Sequence, residues 1–325
     1  MNRRRNFLRL VAGAAVLPLL SRIASAQTYP SRYVRFLVPF PPGGSTDPVA
    51  RVLANRLSEL WGQQLVIENR GGAGGNIGAQ AAAQSPPDGY TLFIATSFLA
   101  TNPYLSSGAG YDPIADFTPV TRLTTFTNVI VVPNSSPARS IKEFADYAKA
   151  KGGKITFASP GTGTIQHLAG ELFKRVAGIE MTHVPYRGGG PAINDLIPGR
   201  IDSMFATLPS VLPQIQGGSI RALAVTSGAR VPFAPTIPAV AESGWPGFDV
   251  SDGHVLLMPA RTPAEFVAKV HGDVIAALAQ PAIKQRFDEL AVAAAASTPA
   301  QLTAYLKSEM EKWGALIRDA NIKTE

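Results

Sequence analysis

The chain alternates short apolar, β-rich runs with amphipathic helical segments, and this alternation limits the folds open to it. One such unit is an apolar run over 34–40, a glycine-rich turn over 41–44 and helical periodicity over 47–60. A second unit has an apolar run over 155–158, a loop with two glycines over 159–164 and helical periodicity over about 165–177. Alternating strands and helices are typical of parallel sheets covered by helices, so the sequence predicts an α/β protein.

Apolar runs predict further strands, and periodic segments predict further helices. The additional strands are predicted at 64–68, 90–95, 128–132, 183–186, 201–206 and 220–226, and the additional helices at 79–83, 140–151, 191–196, 263–279, 281–291 and 299–320. The chain has 325 residues, a length typical of about two domains, and lacks a low-complexity linker. We therefore predict two α/β lobes joined by thin hinge crossings, with a helical tail completing one lobe.

The first 27 residues have the pattern of an export signal. The run Arg4-Arg5-Asn6-Phe7-Leu8-Arg9 has the twin-arginine form, an apolar stretch covers 10–20, and Ala24-Ser25-Ala26 offers a small-x-small cleavage site. The apolar stretch is too short for a retained membrane span, which needs about 20 residues. We predict cleavage near Ala26 and a periplasmic protein, with the twin-arginine and general secretory routes both open.

The predicted signal changes what the net charge implies. It holds five of the 30 Lys and Arg residues, while all 23 Asp and Glu follow it, so the mature chain carries +2 instead of +7. Nucleic-acid binding loses its main support. The absence of cysteine excludes disulfides, a lipid-modified cysteine anchor and thiolate metal sites.

Two loops, at 40–47 and 159–164, place glycines and small hydroxyl residues where a strand ends and a helix begins. Unpaired backbone N–H groups and the helix dipole attract anions there, and open α/β sheets bind ligands at this edge. The alternative is that both are ordinary turns with Ser, Thr or Asp caps. One such turn in each lobe favours an anion-binding cleft.

Other chemistry has less support. The sequence lacks a nucleophile elbow and a P-loop, and residues 71–78 do not match the dinucleotide fingerprint. The four histidines lack metal-ligand spacing, so we predict neither a metal nor a cofactor. A Ser-His-Asp triad remains open. His167 could steady the second loop or only pack, and Arg187 could clamp a carboxylate or be solvated.

Six motifs in order resemble the Bug (TctC-like) family of periplasmic substrate-binding proteins of tripartite tricarboxylate transporters. The motifs are Pro39-Phe40-Pro41-Pro42-Gly43-Gly44-Ser45-Thr46-Asp47, Glu68-Asn69-Arg70-Gly71-Gly72-Ala73-Gly74-Gly75, Pro87-Asp88-Gly89-Tyr90-Thr91-Leu92, Ser159-Pro160-Gly161-Thr162-Gly163-Thr164 with His167, Val184-Pro185-Tyr186-Arg187-Gly188 and Pro235-Thr236-Ile237-Pro238 with Glu242-Ser243-Gly244.

The resemblance implies a two-lobed periplasmic-binding-protein type II fold, with a mixed, mostly parallel sheet flanked by helices in each lobe. We expect lobe 1 to comprise 28–127 and 250–325, lobe 2 to comprise 128–249, and the ligand cleft to lie between them. The ligand-binding residues it implies are Phe40, Gly43, Gly44, Ser45, Thr46 and Asp47 in one jaw, Thr162, Gly163, Thr164 and His167 in the other, and Thr96, Ser97, Tyr186, Arg187, Asp202 and Thr207 around them.

The resemblance further implies a monomer without catalytic activity that closes on a small carboxylate and delivers it to the membrane subunits of the transporter. A di- or tricarboxylate, an acidic amino acid and an aromatic acid all stay open. The sequence departs from the family at Ser251-Asp252-Gly253-His254, where an aromatic-glycine pair is usual, and in 290–294, which lacks the usual glycine. The alternatives are a protein that presents its ligand to a sensor ectodomain and a secreted serine hydrolase.

Overall fold

A computed structural model describes residues 29–105, 109–319 and 322. The predicted export signal at 1–27 therefore lies outside the described residues and stays a prediction. Within the described part, no helix combines the length and apolar character that crossing a membrane requires.

The described residues form ten strands. They are β1 (Val34–Val38), β2 (Leu65–Asn69), β3 (Thr91–Ala95), β4 (Phe117–Pro133), β5 (Thr156–Ser159), β6 (Thr182–Pro185), β7 (Ser203–Thr207), β8 (Ile220–Val225), β9 (Ser251–Pro259) and β10 (Ala293–Ala294). Most central strands are buried on both faces, as expected for sheets with helices on both sides.

Helices connect and cover these strands. They are α1 (Thr46–Trp61), α2 (Asn76–Ala83), α3 (Phe98–Leu105), α4 (Ile141–Lys151), α5 (Ile165–Ala177), α6 (Gly189–Leu196), α7 (Leu208–Gln216), α8 (Ala264–Leu278), α9 (Pro281–Glu289) and α10 (Pro299–Asp319). Their ends follow local chemistry. Ser140 and Thr164 accept N–H groups as N-caps of α4 and α5, and left-handed Gly152 and Gly178 end the same two helices.

The strands lie in the order β2-β1-β3-β9-β4-β7-β5-β6, and β8 and β10 also pair with β4. The pairs among β1, β2 and β3 are parallel, as are those among β5, β6 and β7, whereas β4 and β9 join them in antiparallel fashion. Each half is thus a mixed, mostly parallel sheet flanked by helices. The predicted two-lobed α/β fold class is confirmed.

Strand β4 belongs to both lobes. Its first part pairs with β9 as far as Thr127, opposite Ser251, and from Asn128, opposite Thr207, it pairs with β7. The crossing is tied by hydrogen bonds, because Thr226 donates its N–H to Asn128 O and its hydroxyl to Val250 O. The change of partner falls at the predicted 127/128 division, and the precise lobe boundaries stay a prediction.

The sequence prediction missed several elements. Strand β4 is much longer than the predicted 128–132, and β9 lies at Ser251–Pro259, where no strand was predicted. Helices α3 and α7 were not predicted, and both contain a proline, Pro103 and Pro213, that interrupts a helical pattern. In each case tertiary packing outweighs a weak local signal.

The last helix packs against both lobes. Leu302 and Leu306 are buried in a lobe 1 cluster with Phe93 and Phe98, while Trp313 and Ile317 are buried in a lobe 2 cluster. The indole N–H of Trp313 donates to Glu309 Oε2 at 2.7 Å on the same helix. Helix α10 therefore connects the two cores in addition to the strand crossings.

We predict that Trp313→Ala lowers the free energy of unfolding by about 3–5 kcal/mol, because it leaves a large cavity in the lobe 2 core. Urea denaturation followed by circular dichroism measures this. Lys307→Ala, at an exposed site on the same helix, should stay within about 0.5 kcal/mol of the parent. Equal effects of the two substitutions would contradict the packing of α10 on lobe 2.

Candidate functional site

A cavity of about 500 Å³ opens between the two lobes. Its walls come from the loop after β1, the ends of β3, β5 and β7, and the start of β9. The lining residues are Phe40, Pro41, Pro42, Gly44, Ser45, Thr46, Thr96, Phe126, Pro160, Gln166, Gly188, Gly189, Gly190, Thr207, Ser210 and Asp252. Both loops predicted from the sequence contribute at least one residue to it.

Helix N-termini surround this cavity. Thr46, Gln166 and Gly189 lie in the first turns of α1, α5 and α6, and all three line it. Thr207 is the N-cap of α7, and Thr96 lies two residues before the start of α3. Each N-terminus carries unpaired N–H groups and a partial positive charge. The helix N-termini therefore contribute positive charge to the cavity, although no Lys, Arg or His side chain is among its described lining residues.

The first predicted loop forms one wall. Gly43 has a φ of 97°, which turns the chain from β1 towards α1. The described structure gives the Ser45 hydroxyl no hydrogen bond, so this group is available to a ligand. Asp47 points elsewhere, since its carboxylate binds Arg51 at 2.8 Å and accepts from Asn69 Nδ2 at 2.9 Å.

His254 lies beneath this wall. Its Nε2 is 3.3 Å from Thr46 Oγ1, and its Nδ1 is 2.7 Å from Thr124 Oγ1. Burial lowers the pKa of His254 to about 3. The imidazole is therefore neutral at physiological pH, and it links the cavity wall at Thr46 to strand β4.

Asp252 is the one ionisable side chain among the described residues that line the cavity, and it is 3% exposed. Its Oδ1 accepts N–H groups from Ser97 at 3.1 Å and Gly253 at 2.7 Å. Burial raises the pKa of this carboxyl to about 7, against the opposing effect of those N–H donors. A buried acid in an otherwise uncharged wall bears directly on which ligands fit.

The second predicted loop faces lobe 1 more than the cavity. Thr101 on α3 donates its hydroxyl to Gly163 O at 2.7 Å, and a Cβ on Gly74 would lie 2.2 Å from Thr162 O. Thr164 caps α5 by accepting the His167 N–H. The loop thus forms a contact between the lobes, and the roles of Thr162, Gly163 and Thr164 as ligand-binding residues stay predictions.

Two stacked histidines support this loop from behind. The rings of His167 and His183 are 3.9 Å apart between centroids, and His167 Nδ1 accepts the Gly163 N–H at 3.2 Å. Burial lowers the pKa of His167 to about 4 and that of His183 to about 3. The sequence left open whether His167 steadies the loop or only packs. The geometry favours the interpretation that it steadies the loop.

Ser159 and His183 do not have the arrangement of a hydrolytic site. Their Oγ and Nε2 atoms are 2.7 Å apart, but Ser159 is fully buried and does not line the cavity. Ser159 also donates its hydroxyl to Gly161 O at 3.0 Å, which makes His183 Nε2 the donor towards serine. A general base requires the opposite polarity.

The remaining predicted residues fall in three places. Thr96 and Thr207 line the cavity, and Ser97 lies behind it, bonded to Asp252. Tyr186 and Arg187 line a second, more open space of about 850 Å³ on the far side of the Gly74 contact. Asp202 accepts the N–H and hydroxyl of Thr156 between β5 and β7.

Sequence reasoning missed several lining residues. Asp252 was noted only as a departure from the family pattern, and Phe126 and Ser210 gave no local signal. The glycines at 188–190 were visible in the sequence, but their position opposite Pro41 depends on how the lobes meet. Within the residues that the structure describes, no cluster of three or more His, Asp or Glu could hold a metal ion.

The chain matches known proteins over nearly its whole length. The sequence profile of the tripartite tricarboxylate transporter family receptor (TctC) matches residues 49–322. The UPF0065 protein in the tcbD-tcbE intergenic region of Pseudomonas sp. (strain P51) is 38% identical and covers 95% of this chain and 93% of its own length. Protein BugT of Bordetella pertussis is 34% identical and covers 98% of this chain and 99% of its own length.

Solved structures share the fold closely. The periplasmic binding protein BugD is 35% identical with a TM-score of 0.87, covering 91% of this chain and 100% of its own. R. palustris Rpa4515 with adipate is 36% identical with a TM-score of 0.88, and the match covers 91% of this chain and 99% of that protein. MatC from Rhodopseudomonas palustris with bound malate is 30% identical with a TM-score of 0.84, and the match covers 89% of this chain and 100% of that protein.

We predict that acid destabilises the protein through its buried histidines. Their lowered pKa values mean that the unfolded chain takes up protons that the folded chain refuses, so stability present above about pH 6.5 is lost as the pH falls towards 4. Each histidine contributes at most about 1.4 kcal/mol per pH unit. Asp252 acts in the opposite sense, because its raised pKa stabilises the fold increasingly below about pH 7.

Urea denaturation at pH 7, 6, 5 and 4.5 measures this slope. His254→Gln should make the loss of stability with falling pH shallower, whereas Asp252→Asn should make it steeper. Parallel curves for parent and both variants would contradict the pKa assignments.

Proposed function

The chain belongs to the tripartite tricarboxylate transporter receptor family, a family of periplasmic solute-binding proteins, and from this premise we propose that it captures a small carboxylate between its lobes. The proposal extends to delivery of that acid to the membrane subunits of such a transporter. It includes export through the signal at 1–27 with cleavage near Ala26, a monomeric state, and the absence of catalysis.

The observation that carries the proposal is the convergence of helix N-termini on a cavity without a lining cation. A carboxylate can accept up to four hydrogen bonds on its lone pairs. A set of N–H groups and hydroxyls therefore matches it better than a single point charge does. Such charge-assisted hydrogen bonds each contribute roughly 1.5–3 kcal/mol. Rpa4515 was solved with adipate and MatC with malate, and both share this fold, which supports a carboxylate here as well.

In the proposed mechanism, lobe 1 binds the acid first. The N–H groups near Gly44 and Thr46 and the free Ser45 hydroxyl donate hydrogen bonds to one carboxylate of the ligand. Lobe 2 then rotates about the β4 crossing and brings Gln166, the glycines at 188–190 and Thr207 onto the ligand. Closure is favoured by the contacts that the ligand makes only in the closed form.

A thermal-shift screen followed by calorimetry tests the proposal. We expect one or more acids from a panel of di- and tricarboxylates, acidic amino acids and aromatic acids to raise the melting temperature. Neutral sugars and divalent metals should leave it unchanged. A sugar or metal that stabilises the protein while every acid fails would refute a carboxylate ligand.

Ser45→Ala should weaken binding of the best acid roughly ten- to a hundredfold, the effect of losing one charge-assisted hydroxyl hydrogen bond. Since the Ser45 side chain makes no bond within the described protein, the free energy of unfolding should stay unchanged. Ser308→Ala on α10, whose hydroxyl bonds only to Tyr305 O, is the matched control and should bind like the parent. Equal affinities of both variants would remove Ser45 from the site.

Gly74→Ala tests closure. The new methyl group would meet Thr162 O at 2.2 Å across the cleft, so we expect affinity to fall roughly tenfold or more because the closed state becomes less populated. Gly62→Ala is the control, since Gly62 has the same φ of 62° but no atom within 4 Å of the added group. Both variants lose about 1 kcal/mol of stability, and only Gly74→Ala should lose affinity.

A further inference from the structure

Asp252 occupies an unusual position for a site that takes an anion. It lies at the start of β9, opposite Phe126 of β4, and it lines the cavity. Only 3% of its surface is exposed. Both of its hydrogen bonds, from Ser97 and Gly253, end on Oδ1. No hydrogen bond from the described residues ends on Oδ2, and the nearby Ser97 hydroxyl has no partner within hydrogen-bond distance, so Oδ2 is available as an acceptor at the cavity wall.

The charged groups packed around Asp252 do not neutralise it. On α10, Glu309 carries the same charge, and Tyr305 lies nearby. On β4, the guanidinium of Arg122 stacks over the Tyr305 ring at 4.1 Å and makes no ion pair with Asp252. On the same strand as Asp252, His254 is neutral. Ser97, just before α3, donates its backbone N–H to Asp252, and its nearby hydroxyl also lowers the pKa of that carboxyl.

An unpaired carboxylate oxygen repels a second carboxylate and attracts an O–H or N–H group. We propose that Asp252 makes the cleft select acids that carry a hydroxyl or ammonium group close to the bound carboxylate, over acids of equal length that lack it. This inference rests on the proposed function and names the ligand class of the same cavity. Asp252 is then a specificity-determining residue that contacts the donor group of the ligand.

A purely structural role for Asp252 is the competing explanation. Its Oδ1 joins β9 to the segment that starts α3, and an asparagine oxygen would accept the same two N–H groups. In that case the uncharged replacement would bind every acid as the parent does. The two explanations therefore differ in ligand preference and not in stability.

The selection should depend on pH. An acid without a donor group fits best when Asp252 is protonated, so its affinity should fall, by up to tenfold per pH unit, as the pH rises above about 7. An acid with a hydroxyl or ammonium group stabilises the ionised carboxylate. Its affinity should hold or increase over the same range.

Calorimetry with matched ligand pairs tests the proposal, after the panel has identified the preferred chain length. For four carbons the pairs are malate or aspartate against succinate, and for six carbons 2-hydroxyadipate or 2-aminoadipate against adipate. We expect the parent to bind the donor-bearing acid at least tenfold more tightly. Asp252→Asn presents an amide N–H to the cavity, so it should reduce this ratio at least tenfold, chiefly by binding the plain acid better.

Asp249→Asn is the control, because it removes the same charge three residues away at an exposed site that does not line the cavity, and its ratio should equal the parent's. An unchanged ratio in Asp252→Asn, with acid binding retained, would overturn the inference and leave the proposed function intact. If no acid binds the parent, the proposed function fails and the inference with it. Should Asp252→Asn not fold, titrating the parent from pH 6 to 8.5 decides, since identical pH trends for both acids of a pair would also overturn it.

Discussion

The arrangement of helix N-termini around one cavity is the constraint on which the rest of the structure depends. In each lobe, parallel strands end at the same edge, and the helices after β1, β5, β6 and β7 begin there. The two edges face each other, so the partial positive charges of the helix N-termini point into one shared space. A charged ligand can then be held by backbone groups and hydroxyls that require no ionised side chain to be desolvated.

Strand β4 and helix α10 determine how the two edges can approach. One strand serves both sheets, so the lobes share a continuous backbone at Thr127 and Asn128, and α10 packs on both cores. Across the cleft, the contacts at Gly74 with Thr162 and at Gly188 with Pro41 are so close that a side chain on either glycine would meet the opposite lobe. The glycines that the sequence places in these loops are therefore required by contact between lobes as much as by turn geometry.

Much of the fold was predictable because strong local patterns specify it. The helix over 165–177 was predicted with its observed ends, since Thr164 and Gly178 are clear caps. In the site, the loop over 40–47 was predicted from its glycines and hydroxyl residues between a strand and a helix. Four of its predicted ligand-binding residues, Phe40, Gly44, Ser45 and Thr46, line the cavity because they lie between the end of β1 and the first turn of α1. Strand β9 was not, because its first half, Ser251-Asp252-Gly253-His254, is polar and its apolar second half has no clear periodicity. It becomes a strand only between β3 and β4. The place of Asp252 at the cavity follows from that pairing register, which local sequence cannot reveal.

A crystal structure of the protein with the acid that stabilises it most tests the central claim most directly. The account predicts one ligand carboxylate between the lobes, with its oxygens within about 3.2 Å of N–H groups in the 44–46 segment and of the Ser45 hydroxyl. It also predicts that no Lys or Arg side chain contacts that carboxylate. A ligand bound in the second space beside Arg187, with the cavity between the lobes left to water, would contradict it.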